Sequence, residues 1–334
     1  KQTNGFEAKD FCRVVREDRL KKGLLYAGTE RGMYISTNDG LVWQRFQLNL
    51  PVVAINDLTI ADNDLVAATS GRAFWILDDL SPLQQLQDQL PPTATLFTSK
   101  PTVKTGWSGG SPQVGANPAE GAALYYYLPA KTDSISLIIR NAKGDTIRQY
   151  NSWKNDAEVS GYPGGPAPEP LLPTEEGLHK FNWDLRHESL PGIKGQFLNA
   201  DYRGASVPPG TYSVTLKAGT TSSDATLQVL QDPRVQASAN AFDEQYAFCK
   251  QIDAAVTNMH QSVVRMRSVK QQVEQLNTQL KGIADTDTLV KTGKTLIAKI
   301  NAWEKQIITT QQETFQDVIN YYNRLSAELL ESEL

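Results

Sequence analysis

Two cysteines, three histidines and three methionines among 334 residues leave little material for disulfide or metal chemistry. Cys12 and Cys249 lie too far apart in sequence to suggest a disulfide framework or a metal knuckle. Also missing is any apolar run near the roughly 18 to 20 residues that a bilayer-spanning helix needs. There is no basic excess: 33 Lys and Arg against 37 Asp and Glu give a formal charge of −4. A mildly acidic chain has no electrostatic reason to seek nucleic acid or an anionic membrane surface. The sequence carries no Ser/His/Asp arrangement, G-x-G-x-x-G, P-loop, H-E-x-x-H or paired C-x-x-C. His179, His187 and His260 fall on separate predicted elements, so no shared metal site is expected, and the sequence implies no cofactor. What is present is 40% apolar and 21% charged, a composition that excludes disorder and suits two or three packed cores. The chain opens at Lys1 in sequence that already reads as mid-domain, which points to a piece of a longer protein.

Proline divides the chain. Fourteen of 17 prolines lie between Pro91 and Pro209, and none follows Pro233. Proline fixes φ and removes a backbone donor, so the middle is predicted as strands and loops and the tail as helix. The expected class is multidomain β plus α. Residues 1–90 read as short strands and turns, 91–231 as a second β region with a long Gly/Pro loop, and 232–334 as an α-helical hairpin.

The first region repeats. Leu25-Tyr26-Ala27-Gly28-Thr29 is echoed 40 residues later by Leu65-Val66-Ala67-Ala68-Thr69, and each copy runs into an aromatic-rich strand, Met33–Ser36 and Ala73–Leu77. A unit of about 40 residues built from short strands has the spacing of a propeller blade. The small residues Ala27, Gly28, Ala67 and Ala68 suit inner strands where blades crowd together. Space exists for one or two blades, and a ring needs at least about four. Between the copies, Ser36-Thr37-Asn38-Asp39-Gly40-Leu41-Val42-Trp43 reads as a hairpin turn. Asn38 and Asp39 bond their own backbone, Gly40 supplies positive φ, and Trp43 folds back.

This segment resembles the Asp-box, S-x-D-x-G-x-T-W, of BNR-repeat propellers such as sialidases and sortilin, with Asn38 for the aspartate and Val42 for the threonine. In those families the box is a structural fold-back, which assigns Ser36, Asn38, Asp39, Gly40 and Trp43 a structural role here. Gly23–Gly32, the box, Leu48–Val52 and Asp64–Asp79 together look like the final blade of large secreted bacterial proteins with sortilin-like propellers, often labelled glycosyl hydrolases. The resemblance implies a periplasmic or extracellular location, with the rest of the propeller in the same polypeptide as the first partner.

In the middle region, Leu124–Leu128, Ser134–Ile139, Thr146–Tyr150, Gly177–Arg186, Val207–Leu216 and Thr226–Leu230 are strand-like, which suggests an antiparallel β-sandwich. "GLHKFNWDLR" and "VPPGTYSVTLKAG" are similar to the Ig-like or fibronectin-type domain of the flagellar hook-capping protein and of bacterial sorting domains. Such domains space or brace their neighbours. Trp183 is expected in the core and Trp107 as a loop staple, the alternative being a sugar-stacking platform. Trp153 and Tyr162, in the Asn151–Pro173 loop, are candidate contacts for a glycan or protein ligand.

In the tail, Phe242, Phe248/Cys249, Ile252, Val256, Met259, Val263, Met266, Val273, Leu276 and Leu280 recur at helical spacing, and Leu289, Leu296, Ile300, Trp303, Ile307, Val318, Tyr321 and Leu325 continue the pattern. A break at Gly282–Asp287 predicts two antiparallel helices of about 40 residues, close to a coiled-coil seam. His260 sits off this stripe and is expected at the surface.

Glycoside hydrolysis needs two carboxyl groups flanking a sugar cleft. Glu30, Asp39, Asp57, Asp78 and Asp79 are available, but Asp78 and Asp79 are strand neighbours that face opposite ways and read as a turn. Arg31 and Arg72 occupy equivalent repeat positions, which makes them candidate anion or sugar contacts, the alternative being rim salt bridges. The leading expectation is a noncatalytic accessory region. The other is a share in the active site of a sialidase-like hydrolase lying mainly upstream.

Overall fold

A computed structural model describes residues 3–87, 89–105, 119–155, 158–198, 200–309, 311–314, 316–317 and 324–332. Trp107, Val318 and Tyr321 lie outside the described residues. The architecture is mixed β and α, with several antiparallel sheets followed by long helices.

The first sheet is the antiparallel meander β1 (Cys12–Glu17), β2 (Leu25–Thr29), β3 (Gly32–Ser36) and β4 (Gln44–Arg45). The second is β5 (Ile55–Ala61), β6 (Asp64–Thr69) and β7 (Phe74–Leu77). The sequence repeat is therefore a structural one, and it extends to irregularities. The pairing of β1 with β2 shifts register between Cys12 and Val14, and that of β5 with β6 shifts between Ile55 and Asp57. Each β-turn after the middle strand is closed by a threonine. Thr29 Oγ1 donates to the Gly32 carbonyl at 3.0 Å and accepts from the Arg31 amide at 3.2 Å. Thr69 Oγ1 donates to the Ala73 carbonyl at 2.6 Å and accepts from the Arg72 amide at 3.1 Å.

The two sheets share one core. Tyr26, Met33 and Ile35 pack with Ile55, Leu58, Ile60, Leu65 and Ala67, and each large apolar side chain so buried contributes about 1.5–3 kcal/mol. Gly28 permits the close approach, because a Cβ there would lie 2.7 Å from Ile55 Cγ2 and 2.8 Å from Val14 Cγ1.

After β7, Asp79 adopts φ +61° and its amide donates to Asp64 Oδ1 at 2.8 Å. This is the turn read from Asp78-Asp79. The chain then enters the short helix α1 (Ser81–Gln85), started by Pro82. α1 clamps the junction with the next region. Gln84 Nε2 donates to Asn63 Oδ1 at 2.6 Å and to the Asp18 carboxylate at 3.1 Å, and the Lys21 ammonium donates to the Leu86 carbonyl. On the far side, Gln85 Nε2 donates to the Thr98 carbonyl and Gln85 Oε1 accepts from its amide, both at 2.8 Å.

The middle region has two facing sheets. One is ordered β13 (Gly177–Trp183), β10 (Ala122–Leu128), β8 (Thr95–Leu96). The other is ordered β12 (Thr146–Asn151), β11 (Ile135–Arg140), β14 (Gly210–Ala218), β15 (Thr221–Gln231), β9 (Thr102–Lys104). Leu124, Tyr126, Phe181 and Trp183 of the first meet Leu137, Ile139, Tyr150, Leu216 and Leu227 of the second. One expectation is corrected, since the pairing is not wholly antiparallel: β9 returns parallel to the end of β15. Trp183 is fully buried and donates from Nε1 to the Arg186 carbonyl at 2.9 Å, so its face is closed to a sugar.

The tail forms α2 (Ala239–Gln279) and α3 (Asp287–Ile307), in contact as a hairpin, and α4 (Leu325–Glu331). Ser238 caps α2 by accepting from the Ala241 amide. Gly282 (φ +86°) and Asp285 (φ +63°) make the bend between α2 and α3. Two corrections follow. α3 ends at Ile307, short of the 40 residues expected: Ile308 turns extended and packs with Ile193 and Val263, and the Thr309 carbonyl accepts from Gln196 Nε2 at 2.6 Å. The seam is also incomplete, with Phe248, Leu276, Leu289 and Leu296 exposed. What seals the base of the hairpin is the sandwich loop: Leu190, Leu198 and Tyr202 pack with Ile252, Val256, Ala327 and Leu330, and Ile193 packs with Val263 and Ile308.

Candidate functional site

Arg31 and Arg72 both sit on the threonine-closed turns, at matching places in the two sheets, with exposed side chains. Neither forms an ion pair among the described residues, so the rim salt bridges expected of them are not found there. The carboxylates do not gather. Glu30 pairs with Arg13 at 2.5 Å, Asp57 pairs with Arg16 at 2.6 Å, and Asp79 is buried with its Oδ1 accepting from the Ser81 amide and hydroxyl. Among the described residues no three His, Cys, Asp or Glu side chains are grouped as metal ligands.

The Ser36–Trp43 turn is held by its own Ser36 and Asn38 side chains. Ser36 Oγ donates to Asn38 Oδ1 and accepts from the Gly40 amide, both at 3.0 Å, and Asn38 Oδ1 also accepts from the Val42 amide at 3.0 Å. Asp39 and Gly40 take positive φ, +57° and +79°. Trp43 is buried beside Ala27 and Tyr34, with the Phe6 ring 5.1 Å away. Asn38 supplies the acceptor oxygen that an aspartate would supply, without the charge.

Trp153 is 50% exposed. Tyr162 is turned inward: its ring lies against Gly165, its hydroxyl donates to the Ile193 carbonyl at 2.8 Å, and burial raises its pKa. Of the two loop aromatics, Trp153 alone presents a surface to a ligand. Two clefts lie in the first region. One is lined by Met33, Phe46, Leu65 and Trp75, the other by Ile35, Asn38, Val42 and Gln44, and neither has an ionisable side chain.

A further polar cluster lies where the sandwich meets α2. Arg148, buried, donates to the His187 carbonyl and to Glu169 Oε2 at 2.5 Å, while Ser189 Oγ donates to Glu169 Oε1 at 2.9 Å. His187 Nε2 is 2.7 Å from the Tyr246 hydroxyl and the two rings stack. Burial, reinforced by the Lys250 charge, lowers the His187 pKa to about 4, with Asp253 opposing. Asp253 accepts from Lys250 Nζ at 2.8 Å and from the Ala205 amide at 3.3 Å.

His260 corrects another expectation. It is fully buried, on the α2 face that carries Ile252, Asp253, Val256 and Val263. Nδ1 lies 2.7 Å from the Pro191 carbonyl and Nε2 2.6 Å from Ser326 Oγ. A carbonyl only accepts, so Nδ1 bears the proton and the Ser326 hydroxyl donates to Nε2. Burial lowers the His260 pKa and the Pro191 bond partly offsets this. The ring is thus a neutral fastener and has no access to a substrate. A one-residue rotation of the apolar stripe, taking His260 in place of Met259, would have found it.

No helix among the described residues is long and apolar enough to cross a membrane. No family model matches the chain, and no curated protein matches it. Among solved structures it is similar to a biofilm-associated protein, BSP domain, at 6% identity and TM-score 0.20, with 63% of this chain and 23% of that one covered. It is similar also to the extracellular domain of a hybrid two-component system from B. thetaiotaomicron, at 8% identity and TM-score 0.19, with 69% and 26% covered. The chain spans about a quarter of the length of each.

Proposed function

We propose that this chain is a noncatalytic accessory region of a secreted BNR-repeat propeller protein, acting in the periplasm or outside the cell. In this reading the two repeated sheets are blades, the Ser36–Trp43 turn is their Asp-box, and an Ig-like sandwich with a helical hairpin braces them. One observation carries the reading: the α1 clamp, in which Gln84 holds Asp18 and Asn63 of the blades while Gln85 holds both backbone groups of Thr98. A junction hydrogen-bonded on both sides transmits position, as a brace requires, where a bare linker would not. The test is calorimetric. The unaltered chain should melt its blades and sandwich in one transition, and Gln84→Ala with Gln85→Ala should split it. Two transitions in the unaltered chain would overturn the brace.

A second reading is favoured by the matched and exposed placement of Arg31 and Arg72, neither of them in an ion pair among the described residues. There the parent is a sialidase-like hydrolase and these guanidiniums contact an anionic sugar. Cleavage of a glycan panel by the intact protein, lost in Arg31→Ala or Arg72→Ala with the fold retained, would establish it. Intact cleavage in both variants would remove it.

A further inference from the structure

We propose that the outward face of the second sheet, carrying Val66, Ala68, Phe74 and Ile76, docks a further sheet of the same repeat from the parent polypeptide. The inference rests on the propeller reading above and adds the surface and its occupant. Pairing register fixes the equivalences. Tyr26 opposite Ile35 and Gly28 opposite Met33 in the first sheet correspond to Val66 opposite Ile76 and Ala68 opposite Phe74 in the second. Met33 and Ile35 are 5% and 8% exposed, because the second sheet's other face, with Leu58, Leu65 and Ala67, covers them. Phe74 and Ile76, at the same two positions, are 73% and 59% exposed.

The contact between the sheets is heterologous: one kind of face meets the other kind. Such a contact leaves an unused face at the end of the stack, and the same operation adds the next unit. A large phenyl and a sec-butyl side chain adjoining half-buried Val66 and Ala68 form an apolar patch with the register of a face that is already sealed elsewhere in the molecule. That register also names the occupant, a sheet presenting leucines and a small residue as Leu58, Leu65 and Ala67 do. A second copy of this chain does not qualify. Its counterpart face, Leu25, Ala27 and Tyr34, is closed by Trp43 and by Phe6, whose ring lies 4.6 Å from that of Tyr34.

Hydroxyl-radical footprinting of the 334-residue chain and of the intact secreted polypeptide tests this, with buried Phe181 as the internal control. Labelling of Phe74 and Ile76 should fall roughly tenfold in the intact protein, the ratio of their exposure to that of Met33 and Ile35. Phe74→Asp should leave the melting temperature of the 334-residue chain in place and lower that of the intact protein. Equal labelling in both, when the intact protein holds further repeats, overturns the docking and leaves the propeller reading standing. An intact protein without further repeats overturns both. Dimerisation of the 334-residue chain abolished by Phe74→Asp would make a second copy the occupant and overturn the assignment.

Discussion

The Ser326 hydroxyl donates to His260 Nε2 at 2.6 Å, joining α4 to α2 across 66 residues with both side chains closed to solvent. Ser326→Ala keeps the shape and strands a buried ring nitrogen. The expected cost is roughly 1–3 kcal/mol, the desolvation of an unmet polar group. Urea unfolding followed by far-ultraviolet circular dichroism measures it, and a loss indistinguishable from zero would show that the bond is not formed in solution.

The same seam sets an acid limit. His187, with a pKa of about 4, and His260, also depressed, are neutral when docked. The first faces Tyr246, Lys250, Asp253 and Arg148; the second faces the Pro191 carbonyl, Ser326 and the Tyr202 ring. Released, each titrates near 6.5, so the unfolded state binds more protons below pH 6.5, for His187 down to about pH 4. Their contribution is therefore full above pH 6.5 and is lost as pH falls below it, at up to about 1.4 kcal/mol per pH unit for each proton taken up. Hydrogen exchange of α2 amides between pH 7 and 4.5 should show the loss. His187→Gln with His260→Gln should flatten it, and an unchanged slope would assign the acid effect to carboxylates.

Asn38 holds the hairpin turn through two hydrogen bonds to one oxygen. Asn38→Ala should cost roughly 1–2 kcal/mol, and Asn38→Asp should restore the loss because a carboxylate is the stronger acceptor. Thermal melts of the two variants decide, and equal destabilisation would mean that the oxygen is not the working group.

Gly28→Ala tests the contact between the repeated sheets. The added methyl meets Ile55 and Val14 at less than 3 Å, and overpacking of this kind costs roughly 1–3 kcal/mol. Exchange of β2 and β5 amides should rise together, and more than that of the sandwich strands.

Trp183→Ala should destabilise the sandwich by roughly 3–5 kcal/mol through cavity formation. No glycan should alter tryptophan emission through this buried indole.

The sandwich strands were readable because alternation of apolar and polar residues is local: Thr146–Asn151 and Gly177–Trp183 appear where their patterns begin and end, within a few residues. The repeat in the first ninety residues was readable as an offset, yet the facing of the two sheets was not, since Phe74 and Met33 differ only in what lies opposite. The tail was read least well. Helical spacing was correct for α2, but a stripe chosen for hydrophobicity passed over His260, whose partners Pro191 and Ser326 lie 69 and 66 residues away. The end of α3 is set by contacts of Ile308 with Ile193 and of the Thr309 carbonyl with Gln196, the latter 113 residues away, which local spacing does not carry.

The small core beneath the hairpin draws on Leu190 and Tyr202, on Ile252 and Val256, and on Ala327 and Leu330. Three stretches so distant along the polymer cannot meet until the last of them has left the ribosome. The two repeated sheets and the sandwich can therefore mature during synthesis, whereas the part of the α2 face that Ala327 and Leu330 cover must wait for as long as translation of some seventy further codons takes. Ordering by such remote contacts is slow, and this interval is where a chaperone or a protease would find the nascent protein most open to capture.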